Sequence, residues 1–291
     1  MSRRIIILGA RSAIARELAR LLAGEPQTQI VLAGRDVAEL EYDAADLRIR
    51  SGAVASARQS AASARTGGVW PTPPPPTSAG EGTGGTSFDC PGNRSGAEVS
   101  VARFDALDYA SHAEAWKRWT EGFDGEIGVV ICFGTLPEQA KAQDDAELAR
   151  LAIESNFTGA VSILTPAANT LAARRSGFIC VIGSVAGDRG RQSNYVYGSA
   201  KAGLSAFVQG MRQRLAQVGV RVLTVKPGFV DTAMTFGLPG MFLVASPARV
   251  AADIHRAIRR GRNVIYTPWF WRWIMLIIRV IPESVFARLK L

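Results

Sequence analysis

A tyrosine and a lysine stand four residues apart within S-V-A-G-D-R-G-R-Q-S-N-Y-V-Y-G-S-A-K, which occupies positions 184–201. On a helix, Tyr197 and Lys201 lie on one face, one turn apart. An ammonium held beside a phenol favours the phenolate and lowers the tyrosine pKa. A phenol tuned in this way can donate a proton and take one back. The spacing therefore indicates proton transfer at Tyr197, although an ordinary tyrosine followed by a solvated lysine has the same spacing.

The proton-transfer hypothesis requires further elements that hold a substrate and a redox partner. Ser184 precedes Tyr197 by thirteen residues and follows an apolar run at 178–182, which predicts a buried strand. Similar apolar runs alternate with helical patterns along the whole chain. This alternation predicts an α/β fold, a doubly wound (Rossmann) parallel sheet in one domain over residues 1–291. The predicted strands are 5–8, 29–33, 98–104, 127–133, 177–183 and 220–225.

The first predicted strand leads into G-A-R-S-A-I-A and then a helix. A strand, a tight turn and a helix N-terminus together form a typical site for dinucleotide phosphates. We therefore expect the turn to contact a dinucleotide cofactor. The residues expected to do so are Gly9, Arg11, Ser12, Ala13 and Ile14.

The strand-end serine, the Y-x-x-x-K helix and this first turn together resemble the short-chain dehydrogenase/reductase family, over the whole chain except one insertion. The resemblance implies hydride transfer between a nicotinamide and a carbonyl or secondary alcohol. It implies that Tyr197 donates the proton in reduction and that Ser184 bonds the substrate oxygen. It further implies that Lys201 lowers the tyrosine pKa and reaches the ribose, and that the backbone carbonyl of Asn156 holds a relay water.

Two segments depart from the pattern of the family. The loop G-x-x-x-G-x-G has Ala13 and Ala15 in place of its second and third glycines, and alanine lets a backbone approach a pyrophosphate less closely. The family's N-N-A-G is I-C-F-G here, so Gly134 alone remains of that cofactor-binding segment. The first motif is thus a degenerate copy of the family's loop.

The end of the second strand bears on the choice between NAD and NADP. Enzymes that prefer NAD place an acid there to bond the ribose hydroxyl, but this chain has Gly34 followed by Arg35. An arginine pairs well with a 2′-phosphate, and Arg11 is placed to assist. We therefore predict NADP, with NAD as the alternative. The other interpretation is that Arg35 faces water at the edge of the sheet.

Further cofactor contacts follow from the resemblance. Asp105 ends the third strand, where the family has an aspartate that contacts the adenine amino group. The alternative is that Asp105 caps a helix that starts near Asp108. The segment P-G-F-V-D-T resembles the family's turn over the nicotinamide, so Pro227, Gly228 and Thr232 are expected to contact the cofactor.

Residues 54–97 interrupt the pattern with W-P-T-P-P-P-P-T and G-E-G-T-G-G-T. Proline and glycine at this density cannot form a packed element. The tetrapeptide R-S-G-A occurs at both borders, at 50–53 and 94–97, and removing the stretch between them restores an ordinary helix-to-strand connection. We predict a disordered insertion outside the fold. A proline-rich docking arm is the alternative.

Two apolar segments bear on the substrate. Residues 234–244 lie where the family has its substrate lid, and they contain no charge. Residues 268–291 combine Trp269, Trp271 and Trp273 with bulky aliphatic residues, and Arg272 and Arg279 share one helical face. This composition is typical of a helix in a membrane interface and favours a lipid-linked substrate. The alternative is a helix packed on its own domain or on a second subunit, with a soluble small-molecule substrate.

Composition sets the remaining limits. The net charge of +9 comes from dispersed side chains without a nucleic-acid motif, so no nucleic-acid partner is expected. Three cysteines without metal-ligand spacing predict no metal site and favour a reducing compartment. We expect a cytoplasmic protein, peripheral on the inner face of the plasma membrane. Small residues near Gly198 suggest a homo-oligomer, because the equivalent helix pairs subunits in the family. A non-catalytic nucleotide sensor is the alternative outside enzymology.

Overall fold

The structure is a computed structural model that describes residues 2–65, 97–237 and 240–289, with the backbone alone for 53–65. Seven strands form one sheet, and every neighbouring pair is parallel. Their order is β3-β2-β1-β4-β5-β6-β7. The predicted doubly wound parallel sheet is therefore confirmed. The strands are β1 (Arg3–Leu8), β2 (Thr28–Gly34), β3 (Glu98–Arg103), β4 (Glu126–Ile131), β5 (Phe178–Ile182), β6 (Arg221–Pro227) and β7 (Val264–Thr267).

The strand β7 is an addition to the six predicted strands. It has four residues, and only Thr267 is buried. Because β7 lies at the edge of the sheet beside β6, its apolar run covers only Val264 to Tyr266, shorter than the runs by which the buried strands are recognised.

Helices cover both faces of the sheet. Ile5 and Ile7 face the layer that contains α1 and α8, whereas Ile6 and Leu8 face the layer that contains α6 and α7. Since successive side chains of a strand point to opposite faces, the buried part of β1, from Ile5 to Leu8, must be apolar at every position. The helices are α1 (Ala13–Ala23), α2 (Val37–Arg65), α3 (Tyr109–Thr120), α4 (Gln139–Ala142), α5 (Ala146–Ile153), α6 (Gly159–Arg174), α7 (Tyr195–Ala216), α8 (Pro247–Arg259), α9 (Trp271–Val280) and α10 (Glu283–Phe286).

The helix α2 corrects one predicted boundary. The sequence predicts that this helix ends near Arg50 and that structure is lost from Val54, but the helix continues to Arg65. The added turns are rich in alanine and contain neither proline nor glycine between 53 and 65, so helix propensity sustains them. The rest of the predicted insertion, residues 66–96, lies outside the described residues.

Two of the small residues near the start of α7 pack within their own chain, and a subunit interface at this helix stays a prediction. A Cβ on Gly198 would lie 3.0 Å from the carbonyl oxygen of Ala186, and one on Gly203 would touch the ring of Phe157 at 3.5 Å. A Cβ on Gly187 would in turn lie 2.6 Å from the backbone of Lys201. These residues let α7 approach the turn after β5 closely, and the oligomeric state stays a prediction.

Candidate active site

Ser184, Tyr197 and Lys201 meet where β5 ends and α7 begins. Ser184 follows β5 and opens a 3₁₀ turn, Val185–Asp188, in which its hydroxyl accepts a hydrogen bond from the N–H of Ala186 at 3.1 Å. Lys201 is only 4% exposed, and its Nζ donates to the carbonyl of Ile182 at 3.3 Å. The same Nζ lies 5.6 Å from the centre of the Tyr197 ring. The structure thus brings together the three side chains for which the sequence predicts chemistry.

Burial sets the protonation of this group. It raises the pKa of Tyr197 to about 12, and a hydrogen bond with Ser184 offsets only part of the rise. Burial also lowers the pKa of Lys201 to about 8, because desolvation disfavours the ammonium. Burial outweighs any lowering of the Tyr197 pKa by the Lys201 ammonium here, so the expectation that Lys201 lowers this pKa stays a prediction. Tyr197 is protonated at neutral pH, which is the form that a proton donor needs.

Asn156 lies in a π-helical turn, Glu154–Thr158, between α5 and α6. Its Nδ2 donates to the carbonyls of Thr135 at 2.7 Å and Ala152 at 2.8 Å. Its Oδ1 is buried without a hydrogen-bond partner among the described residues. Because π-helical turns accompany functional sites and buried polar atoms are normally paired, this oxygen marks the crevice as a place for a ligand or a water.

Gly134 connects this asparagine with the lysine. A Cβ on Gly134 would overlap Oδ1 of Asn156, and it would lie 3.3 Å from Nζ of Lys201. The residue also has a φ of +155°, which side chains rarely adopt. The one glycine that remains from the family's N-N-A-G therefore stands where no side chain fits. Thr135, whose carbonyl holds Asn156, is a site residue that sequence reasoning missed, since a backbone acceptor leaves no signal in residue type.

The first turn is shaped to receive an anion. Gly9 has a φ of +77°, and its N–H donates to the carbonyl of Ala33 at 2.9 Å. The α1 helix begins after Ser12, which makes no side-chain cap, and its first turn contains no acid. The first N–H groups of a helix have no partner within it, so those of Ala13 and Ile14 can bind phosphate.

The two arginines expected near the ribose differ in their surroundings. Arg11 donates to Asp36 at 2.9 Å and lies 3.5 Å from Glu39. Its guanidinium is therefore paired within the chain, and its predicted assistance at a 2′-phosphate would require these pairs to open. Exposed pairs of this kind are weak and can rearrange. Arg35 is exposed and forms no ion pair within the described parts of the chain, and its contact with a 2′-phosphate stays a prediction.

Asp105 and Thr232 both take part in tight turns. The Oδ1 of Asp105 accepts the N–H of Leu107 at 3.0 Å. Asp108, not Asp105, occupies the position before α3, so the alternative in which Asp105 caps this helix is wrong. The N–H of Thr232 donates to the hydroxyl of Thr235 at 3.2 Å. Each residue lies beyond the C-terminal end of a strand, on the ligand-binding edge of the sheet.

Trp271 is a site residue that the sequence assigned elsewhere. It is 1% exposed and packs with Val185, the neighbour of Ser184. A Cβ on Gly228 would overlap its indole. The indole N–H has no acceptor within the described residues. Trp271 thus packs against the Pro227–Gly228 turn and is not an exposed membrane anchor, because the helix phase turns it inward.

A buried ion pair holds the 3₁₀ turn that follows Ser184. Asp188 is paired with Lys226 of β6, and it accepts a hydrogen bond from the hydroxyl of Tyr266 at 2.7 Å. The Asp188 side chain is almost fully buried. Removing one partner of a buried pair is costly, so the pair locks the catalytic turn to β6 and β7. Nothing in the spacing of these residues along the chain indicates this contact.

The fold and the serine–tyrosine–lysine geometry define a class of oxidoreductase, and comparison with known proteins agrees. The model of the short chain dehydrogenase family matches residues 89–239, just over half of the chain. An uncharacterized oxidoreductase of Mycobacterium tuberculosis is 34% identical over 286 residues, which cover 98% of this chain and 96% of that protein. The chain belongs to the short-chain dehydrogenase family, and family membership makes NAD(P) its cofactor.

Other relatives and solved structures extend the likeness. The 3-oxoacyl-[acyl-carrier-protein] reductase MabA of Mycobacterium avium is 32% identical over 177 residues, which cover 56% of this chain and 65% of that protein. A short-chain dehydrogenase from Sphingobium yanoikuyae in complex with NADPH superposes with a TM-score of 0.68 at 20% identity, over 98% of both chains. The actinorhodin polyketide ketoreductase with NADPH also gives 0.68, at 18% identity over 91% of this chain and 95% of that one.

Proposed function

We propose that this protein reduces a keto group to a secondary alcohol with NADPH. The observation that carries the proposal is the meeting of the half-buried phenol of Tyr197, the hydroxyl of Ser184 and the buried ammonium of Lys201 at the end of β5. Two relatives named above are reductases of keto compounds, which supports the reductive direction. A non-catalytic sensor is disfavoured, because both Tyr197 and Lys201 are present.

Each catalytic side chain has a separate task in this mechanism. Bound NADPH supplies the hydride that reaches the carbonyl carbon. Ser184 donates a hydrogen bond to the carbonyl oxygen and holds it beside the phenol. Tyr197 gives its proton to that oxygen, so that carbon and oxygen are both saturated. Lys201, charged at neutral pH, stabilises the tyrosinate left behind, and Asn156 holds the water through which the proton is replaced.

The preference for NADPH rests on the end of β2. Gly34 leaves no carboxylate to bond the ribose hydroxyls and repel a phosphate, and the exposed Arg35 is available to pair with it. NAD remains the alternative. The backbone N–H groups at the start of α1 would hold the pyrophosphate of either cofactor.

The pKa of Lys201 leads to a prediction about cofactor binding. Half of the Lys201 side chains lose their proton at about pH 8, whereas cofactor phosphates and ribose oxygens favour the ammonium. Binding must therefore restore the proton above this pH, and we expect NADPH affinity to fall by up to about tenfold per pH unit there. Titration calorimetry between pH 7 and 9.5 measures this slope. Lys201→Met should abolish it, and a wild-type affinity independent of pH would contradict the assignment.

We propose further that the keto group belongs to a lipid-linked sugar, a decaprenylphosphoryl 2-keto-pentose used for cell-wall arabinan. The segment F-D-A-L-D at 104–108 and the aromatic C-terminal segment resemble those of decaprenylphosphoryl-2-keto-erythro-pentose reductase. Support comes from the lid, in which Met234, Phe236 and Phe242 expose large apolar areas that suit a polyprenyl chain. The substrate would be met at a membrane through the C-terminal segment. The alternative is a small soluble ketone.

The decisive assay follows NADPH and NADH oxidation with a lipid-linked keto-sugar and with simple ketones. We expect NADPH to be the better cofactor and the lipid-linked sugar to give the higher kcat/KM. A higher kcat/KM for simple ketones would contradict the lipid-linked substrate and favour a soluble one. The proposal of carbonyl reduction would still hold. Failure with every carbonyl compound would refute the reductase itself.

A further inference from the structure

The helix α9 is apolar on two opposite faces. Its inner face packs Trp271 and Met275 into the fold. Its outer face carries Trp273, Leu276, Ile277 and Val280, each between 49% and 70% exposed. These four positions follow the i, i+3, i+4, i+7 spacing of one helical stripe. Exposed contiguous apolar surface of this kind marks an interaction site.

A second exposed apolar segment, at the end of the lid, packs against Trp271 on the inner side of α9. Phe242, Leu243 and Val244 of the lid are 44–52% exposed. The ring of Phe242 lies 5.5 Å from that of Trp271, so the lid and α9 are neighbours. Leu243 has a φ of +53°, a strained conformation that holds a large apolar side chain in solvent. We define the docking surface as the four outer residues of α9, Trp273, Leu276, Ile277 and Val280.

The position of α9 is held by one arginine. Arg189 donates to the carbonyls of Ile278 at 2.8 Å and Ile281 at 2.6 Å at the end of the helix. It also pairs with Glu283 at 2.8 Å, and its guanidinium stacks 3.8 Å from the ring centre of Phe286. These contacts satisfy carbonyls that a helix end leaves open. The outer stripe therefore stays outside instead of turning inward.

Charge distinguishes the candidate occupants of the docking surface. Arg272 and Arg279 lie together along one edge of the outer stripe of α9, and neither forms an ion pair within the described residues. The helix contains no acid. A two-fold contact between copies would repeat the same surface and would offer these arginines no carboxylate from α9. Lipid phosphates carry the charge opposite to that of these arginines, and the apolar stripe of α9 can insert at the boundary between headgroups and acyl chains.

We infer that the docking surface seats the protein on an anionic membrane leaflet, with the active-site crevice opening beside it. Trp271 connects the two, because it lies beneath the stripe and contacts both Gly228 and Val185. Within the part of the chain that the structure describes, no helix has the length and hydropathy of a membrane span. The inference rests on the proposed function for its purpose, namely access to a lipid-linked keto-sugar.

The test floats the full-length protein with vesicles of phosphatidylcholine alone or mixed with phosphatidylglycerol. We expect flotation with the anionic vesicles. Ile277→Glu should weaken binding to the vesicles by about tenfold or more, because it places a charge where the inference puts an apolar side chain in the membrane. Ile49→Glu is the matched control, since Ile49 is 74% exposed on α2, outside the docking surface. Arg272→Gln with Arg279→Gln should remove the preference for anionic vesicles.

Activity separates this inference from the proposed function. With a water-soluble ketone, Ile277→Glu should reduce the substrate as fast as wild type. Flotation lost in Ile277→Glu and kept in Ile49→Glu supports the inference. The inference is overturned if the wild-type protein stays at the bottom of the gradient, or if Ile277→Glu floats as well as wild type. Neither result contradicts the proposed carbonyl reductase activity. A wild-type dimer dissociated by Ile277→Glu, without lipid binding, would make the surface a subunit interface and overturn it too.

Discussion

Tyr197→Phe is expected to lower kcat for carbonyl reduction by about 10³-fold, within the range for loss of a general acid. The variant keeps the ring and loses the proton that the carbonyl oxygen must receive. NADPH affinity should stay close to that of wild type, because the phenol acts on the substrate. Stopped-flow measurement of NADPH oxidation gives the first quantity, and titration calorimetry gives the second.

Tyr195→Phe supplies the matched control for this experiment. Tyr195 is the first residue of α7, two positions earlier, and is 45% exposed. Its hydroxyl forms no hydrogen bond within the described residues, so the loss of this group should leave kcat unchanged. Equal turnover in Tyr197→Phe and wild type would remove the proton donor from the mechanism. A loss in both variants would indicate damage to the start of α7 and not the loss of one proton.

Gly228→Ala is expected to destabilise the fold by about 1–3 kcal/mol, the usual cost of overpacking, and to weaken NADPH binding. The added methyl overlaps the indole of Trp271, which is fully buried and has little room to move. Either the turn after β6 or α9 must then shift, and both border the crevice. Thermal unfolding and calorimetric NADPH titration measure the two effects.

Gly210→Ala is the control for the glycine substitution. Gly210 lies in α7, and nothing comes within 4 Å of a Cβ built there, so alanine should stabilise the protein by about 0.5–1 kcal/mol. A second test removes the indole: in Trp271→Ala, the further change Gly228→Ala should cost much less than it does in wild type. Equal costs in the two backgrounds would show that the overlap does not limit stability.

Much of the fold followed from local patterns. All six predicted strands were found, because the part of a strand that is buried on both faces must be apolar, as β1 is from Ile5 and β4 is from Ile127. The edge strand β7 was not predicted, since it is short and only its last residue is buried. The end of α2 was misplaced because glycine and proline density was taken to begin at Val54, whereas it begins after Arg65.

The sequence predicted only part of the candidate site. The spacing of Tyr197 and Lys201 predicts their shared face, since helical geometry depends on neighbours four residues apart. Their pKa values could not be predicted, because burial arises from distant parts of the chain. The pairing of Arg11 with Asp36 and the π-helical turn at Asn156 likewise depend on contacts that residue types do not specify.

The sequence by itself determined the parallel sheet, the family, and the order in which the phosphate turn, serine, tyrosine and lysine follow the strands, because these depend on local periodicity and short motifs. Only the tertiary structure decided that Trp271 faces inward while Trp273 faces solvent, and that burial raises the pKa of Tyr197 instead of lowering it. Both depend on what surrounds each side chain. Desolvation and packing are properties of neighbours brought together by folding, from positions far apart in the chain.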